Sequence, residues 1–239
     1  MKFKTINLLG LKISFRNFKE ASRIFGSIFI GKEYHFKSNK KNPFILDCGS
    51  HIGLSVLYFK KIYPKSKIIA FEPNPDTFKL LKRNVEQNKL KNVKLINAAL
   101  SDKRGEAFLY VDKKEKSPWS WGDAIVRNKW NTSNNKGVKV KTVKLSEFLD
   151  KDIDFLKLDI EGAETRIFKE IKPKFSKVKE LIMEFHGSST NKENNLEEVL
   201  KILEENNFKY TIKQGGKFLK AHEINREDPF WLIIHAKRV

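Results

Sequence analysis

Five short apolar segments alternate with amphipathic ones from residue 43 onward, and this alternation constrains the fold more than any other feature. PFILD (43–47), KIIAFE (67–72), VKLINAAL (93–100), IDFLKLDI (153–160) and KELIMEFH (179–186) read as strands buried on both faces. Between them SVLYFKKIYP, TFKLLKRNVEQN and EGAETRIFKEI carry helical spacing, and LEEVLKILEENN (196–207) follows the fifth strand as a further helix. Such a chain builds an α/β domain with a mostly parallel sheet and helices on both faces. FKYTIKQ and PFWLIIHAK close the chain with no helix between them, so an antiparallel C-terminal edge is expected.

Two regions depart from the pattern. Residues 1–41 form a small extension: Phe3 to Phe15 reads as two strands meeting near Leu9-Gly10, and Phe18, Ala21, Ile24, Phe25 and Ile28 form a helical stripe. Residues 42–239 make up the main domain, interrupted by an insertion at 105–145. There FLYVD and GVKVKTVKL alternate like a hairpin, and the intervening stretch holds Trp119, Trp121 and Trp130. Stranded tryptophans need something to cover them, so they are candidates for an acceptor surface as well as plugs for the sheet edge.

Lysine and arginine total 48 against 29 acids, a formal charge of +19. Such a surface suits nucleic acid or anionic lipid, which keeps a nucleic-acid partner and peripheral membrane contact as alternatives. Eight of the 48 cations are arginine, however, and lysine is the weaker phosphate-recognition residue. No signal peptide is expected, because Lys12 breaks the early apolar run, and no stretch is long enough for a transmembrane helix. The single Cys48 excludes an internal disulfide and fits a reducing, cytoplasmic location.

The first buried strand runs into Asp47-Cys48-Gly49-Ser50-His51-Ile52-Gly53 and then a helix. Gly49 permits a tight turn and Gly53 a close approach of helix to strand, while the helix N-terminus offers free N–H groups. The second strand ends in Glu72, placed to accept both hydroxyls of a ribose lying across the strand tips. The fourth and fifth strands end in Asp159 with Glu161 and in Glu184 with His186.

FILDCGSHIGLSVLYF, AFEPNPDTFKLLKRNV, NAALSD and FLKLDIEGAE followed by EFH resemble, in order, the FkbM-type family of class I S-adenosylmethionine-dependent methyltransferases. The resemblance spans about residues 43 to 235. It implies a single Rossmann-like domain with S-adenosylmethionine as cofactor. Asp47, Gly49 and Gly53, with Ser50, would frame the methionine moiety and Glu72 with Pro73 the ribose. Asn97 and Ala98 would lie near the adenine, and Asp159 would border the same pocket. Methyl transfer would occur beyond the fourth and fifth strand tips, making His186, Asp159 and Glu184 the catalytic candidates.

His186 is the leading general base, with an ordinary pKa of about 6.5. Glu161 is expected to cap the following helix. The family does not require a metal and none is expected; if one is present, Asp159, Glu184 and His186 would hold it. The expected activity is O-methylation of a small molecule, sugar or glycoconjugate. RNA ribose methylation is the alternative, disfavoured because no lysine stands near Glu184-Phe185-His186. A non-catalytic fold member is the remaining one.

Overall fold

The computed structural model describes residues 3–111, 122–126 and 137–239. Trp119, Trp121 and Trp130 lie outside the described residues. The extension forms the hairpin β1 (Lys4–Leu8) and β2 (Leu11–Phe15), then α1 (Phe18–Phe25), which runs into a π-helical turn at Gly26–Ile30. Asn17 caps α1 by accepting the Lys19 and Glu20 amides.

The main domain continues with β3 (Phe44–Cys48), α2 (Leu54–Ile62), β4 (Lys67–Phe71), α3 (Pro75–Gln87) and β5 (Val93–Ile96). The two-residue β6 (Ala99–Leu100) and the strands β7 (Gly105–Tyr110) and β8 (Gly137–Val143) follow. Then come β9 (Phe155–Leu158), α4 (Glu164–Ile171), β10 (Glu180–Gly187) and α5 (Leu196–Glu205). The chain ends with β11 (Phe208–Gln214), β12 (Lys217–Leu219) and β13 (Phe230–Arg238).

Among the described residues the main sheet has the order β12-β11-β13-β10-β9-β3-β4-β5. β10, β9, β3, β4 and β5 are parallel, while β13 pairs antiparallel with β10 and β11. The antiparallel edge is therefore present, and β12, which the sequence pattern does not single out, forms its outer strand. The expected third strand over 93–100 divides instead. Asn97 donates to the Glu72 and Pro73 carbonyls, the chain turns, and β6 joins β8 and β7 in a separate sheet. The insertion is thus a hairpin, β7 against β8, added to that small sheet.

Two apolar clusters sandwich the main sheet. Leu46, Cys48, Leu156 and Leu158 face α4 and α5; Ile45, Ile68 and Ala70 face α2 and α3. Leu54 to Lys60 of α2 are all buried, because the extension covers the side of α2 that the sheet does not. Phe29 packs edge-on against Tyr58 there, with ring centroids 5.3 Å apart. Each buried side chain of this size contributes roughly 1.5–3 kcal/mol. The layers converge where β3 meets both β4 and β9, the point at which strand order reverses and α/β sheets open a crevice.

Candidate active site

A cavity of about 1100 Å³ opens at the strand tips around this reversal point. The turn after β3 begins with Gly49 at φ 81°, where a Cβ would stand 1.7 Å from the Asp159 carbonyl oxygen. Glycine is needed there because the tips of β3 and β9 touch. The Gly49 and Ser50 amides both donate to the Phe71 carbonyl, at 3.1 and 2.8 Å, which ties the turn to the end of β4. Gly53, at φ 89°, serves a different neighbour from the expected one. A Cβ there would meet Leu81 of α3 at 2.6 Å, so Gly53 lets α2 approach α3 rather than the strand.

Glu72 sits at the β4 tip with 6% exposure. Its Oε2 accepts the His51 amide and its Oε1 the Asn74 amide, both at 2.9 Å. Burial pushes its carboxyl up from the usual range, and the nearby His51 charge opposes that shift. Gly49, Ser50, Glu72, Pro73 and Ala98 line the cavity, as does Asp159 across from them. Asp47, Gly53 and Asn97 do not line it. Asn97 clasps the strand tips through its two carbonyl contacts.

Asp47 lies fully buried beneath the turn. Its Oδ2 accepts from Ser55 at 2.5 Å, and its Oδ1 is 3.7 Å from Lys157 Nζ. Lys157 is the residue that sequence reasoning passed over. From the middle of β9 its ammonium reaches the Gly49 carbonyl at 2.6 Å and Asp159 Oδ2 at 3.2 Å. Burial alone would lower its pKa, but Asp159 and Asp47 outweigh burial and hold the ammonium firmly charged. A lysine inside FLKL, an otherwise apolar buried strand, is the signal that marks it.

His186 projects from β10 with three carboxylates around it. Nδ1 is 3.3 Å from Glu164 Oε1; Nε2 is 3.4 Å from Glu161 Oε2 and 3.6 Å from Glu184 Oε1. Glu164, fully buried, is fixed by the Gly162 amide at 3.0 Å and Asn194 Nδ2 at 2.6 Å. Burial would push the imidazole down, yet Glu161, then Glu164 and Glu184, hold its pKa well above the ordinary value. The three acids around the ring favour its protonated form, which runs against the free-base role that sequence reasoning expects.

Glu161 also departs from expectation. It takes φ 58° and Gly162 φ 101°, and α4 starts only at Glu164, so Glu161 turns toward His186 rather than capping the helix. Burial raises the Glu161 carboxyl well above its usual range, against the opposing His186 charge. Asp159, Glu161 and His186 each offer a ligand atom within 4.8 Å of one another. Their oxygen and nitrogen donors suit a divalent cation, with Glu161 in the place expected of Glu184.

Glu33, Tyr34 and His35 from the extension line the same cavity. Burial, and then the Glu184 charge, raise the Glu33 carboxyl. Beyond Glu184 and His186 the cavity runs along β13 and β11 past Trp231, Ile233, His235, Thr211 and Lys213. Trp231 is 52% exposed and lies opposite His186 in the β10–β13 register.

The geometry has counterparts in known proteins. A sequence profile described as the methyltransferase FkbM domain matches residues 47–210. The chain belongs to the FkbM methyltransferase family. Among its relatives is methyltransferase sdnD of Sordaria araneosa, 32% identical over 180 residues, covering 63% of this chain and 68% of that one. 2-O-methyltransferase NoeI of Sinorhizobium fredii (strain NBRC 101917 / NGR234) is 25% identical over 194 residues, covering 74% and 78%. A solved structure of methyltransferase FkbM from Methylobacillus flagellatus KT aligns with a TM-score of 0.55 at 14% identity. That alignment covers 88% of this chain, which spans about half of the solved one, 47%. As an FkbM member the chain is an S-adenosylmethionine-dependent methyltransferase with a Rossmann-like α/β fold. Among the described residues no helix is long and apolar enough to cross a membrane.

Proposed function

We propose that this FkbM protein transfers a methyl group from S-adenosylmethionine to a hydroxyl on an uncharged small molecule, sugar or glycoconjugate. The observation that carries this reading is the charge of the cavity's transfer end. Glu33, Asp159, Glu161 and Glu184 converge there on Lys157 and His186, so both cations are already paired with carboxyls of the protein rather than turned to a phosphate. A net charge of +19 favours RNA as the second reading, and Arg23, Lys32 and Lys213 line parts of the same cavity. The half-exposed Trp231 offers a face on which a sugar ring stacks. NoeI, a distant relative, is by its name a 2-O-methyltransferase, which supports oxygen as the accepting atom.

In this reading Glu72 accepts the ribose hydroxyls, while Gly49, Ser50, Pro73 and Ala98 shape the donor pocket, with Asp47 acting through Lys157. The cofactor, when bound, supplies an electrophilic methyl on a sulfonium. Asp159 stands nearest the donor, because its own carbonyl abuts Gly49. Lys157 holds the Asp159 carboxylate in place, and Asp159 would take the acceptor hydroxyl's proton as the methyl group's bond to sulfur is exchanged for one to oxygen. His186, kept cationic, positions Glu184 and Glu161 beside the acceptor and is a positioning residue. The extension covers the acceptor through Glu33, Tyr34 and His35. The buried Cys48 thiol fits a cytoplasmic site of action.

The test is methyl transfer from labelled S-adenosylmethionine into panels of neutral sugars, glycolipids, phenolic and aliphatic alcohols, and RNA. Base-stable label in a neutral hydroxyl compound is expected. Label found in RNA, or in amines alone, overturns the proposal.

A further inference from the structure

The Glu72 carboxylate is aimed by two backbone amides, and each of those amides belongs to a residue held by a distant acid. On one side is His51, whose amide donates to Glu72 Oε2 at 2.9 Å and whose backbone sits at φ 50°. Its imidazole Nε2 lies 3.6 Å from Glu20 Oε1 on α1. Glu20 is turned inward, with a side chain 6% exposed, although α1 is largely solvent-facing. On the other side is Asn74, whose amide donates to Glu72 Oε1 at 2.9 Å. Its side chain Nδ2 donates to Asp123 Oδ2 at 2.5 Å, while its Oδ1 caps α3.

Glu20 lies outside the 47–210 span that matches the family profile, and Asp123 lies in the insertion after β7. The extension is also tied to the same turn through α3. Asn84 accepts from the Ser14 amide at 2.7 Å and donates to the Ser14 and Ile52 carbonyls at 3.0 and 2.7 Å. The extension therefore reaches the loop that carries His51, and the insertion reaches the turn that carries Asn74.

We propose that Glu20 and Asp123 are positioning residues for the cofactor site, acting through His51 and Asn74 on the two amides that orient Glu72. The inference rests on the reading that Glu72 grips S-adenosylmethionine. It assigns a purpose in donor binding to two segments that line the cavity. Arg23, Ile24 and Ser27, on the same helix and turn as Glu20, line the same cavity, so the element that holds His51 also faces the site.

The carboxylates facing His51 are Glu20 from α1, Glu72 from the β4 tip and Asp123 from the insertion. Burial opposes the charge on His51, but these acids raise its pKa. The Glu20 contact as an ion pair is present below that raised pKa and lost as pH rises through it.

The experiment is calorimetric titration of the full chain with S-adenosylmethionine across a pH series. Glu20→Gln and Asp123→Asn are each expected to weaken binding about fivefold at neutral pH, the worth of one partly buried hydrogen-bonded contact. His51→Asn keeps the backbone amide and tolerates the left-handed conformation. It should match Glu20→Gln, and the double variant should lose no more than either single one. Wild-type affinity should fall as pH rises through the His51 transition, while Glu20→Gln stays flat; a merely structural role would leave no such difference. Wild-type affinity in Glu20→Gln and Asp123→Asn, with binding lost in Glu72→Ala, overturns the proposal. Unchanged binding in Glu72→Ala instead removes the reading of Glu72 on which it stands.

Discussion

The two ends of the cavity are held in different ways. At the donor end one carboxylate, Glu72, is met by two backbone amides, and the turn that presents them depends on glycine at φ 81° and a capped helix start. At the transfer end Asp159, Glu161, Glu184 and Glu164 are arranged around two buried cations, Lys157 and His186. Backbone donors belong to the chain's own path, so the fold of the donor end tolerates loss of the Glu72 carboxylate. Side-chain cations buried among acids depend on one another, because each removed charge leaves its partner in a poorly solvating interior. On the proposed function, the donor end serves binding and the transfer end joins chemistry to stability.

Lys157→Met should break this contrast most severely. It leaves Asp47, fully buried, facing no cation, and the folded state should lose about 3–5 kcal/mol in urea unfolding. A loss below about 1 kcal/mol would mean that the transfer end is not held by charge. Glu72→Ala is expected to weaken S-adenosylmethionine binding by roughly tenfold to a hundredfold, in line with a charged hydrogen-bonding group. Its unfolding midpoint should stay close to wild type. A large fall in the midpoint would erase the distinction between the two ends.

His186 sharpens the comparison through pH. Its folded pKa is raised above the unfolded value, so its contribution to stability is full below about 6.5 and disappears as pH rises through the folded value. Wild-type stability should therefore decline on the alkaline side, and Glu164→Gln should flatten that decline. In turnover, His186→Ala should lower kcat while leaving S-adenosylmethionine affinity within about twofold, since the acids that flank His186 belong to the transfer end. Asn97→Ala carries the smallest effect. Losing the clasp between the Glu72 and Pro73 carbonyls should cost about 1 kcal/mol of stability and change cofactor affinity less than threefold.

The donor end was largely legible in the sequence. Gly49 at a strand end and Glu72 at the next are local signals, and both stand at the cavity where expected. Asp47 carries the same kind of signal, yet it lies under the turn because its cation sits 110 residues further along the chain, in a strand that pairs beside it. The 93–100 segment is apolar throughout, so its break at Asn97 is set by carbonyls from the neighbouring strand tip. At the transfer end His186 and Asp159 line the cavity, but the charges around them were not legible. Whether an imidazole is a base or a fixed cation depends on Glu161 and Glu164, and those acids reach it only because the chain reverses at Glu161-Gly162.

By itself the sequence determined the succession of strands and helices and the glycine turn at Gly49. Those depend on periodicity and on backbone preferences within a few residues. Only the tertiary structure decided which charges meet: Lys157 with Asp47 and Asp159, His186 with three acids, Glu20 with His51. The reason is that a charge takes its protonation state and its role from neighbours in space, and in this sheet those neighbours arrive from strands and loops far apart in the chain.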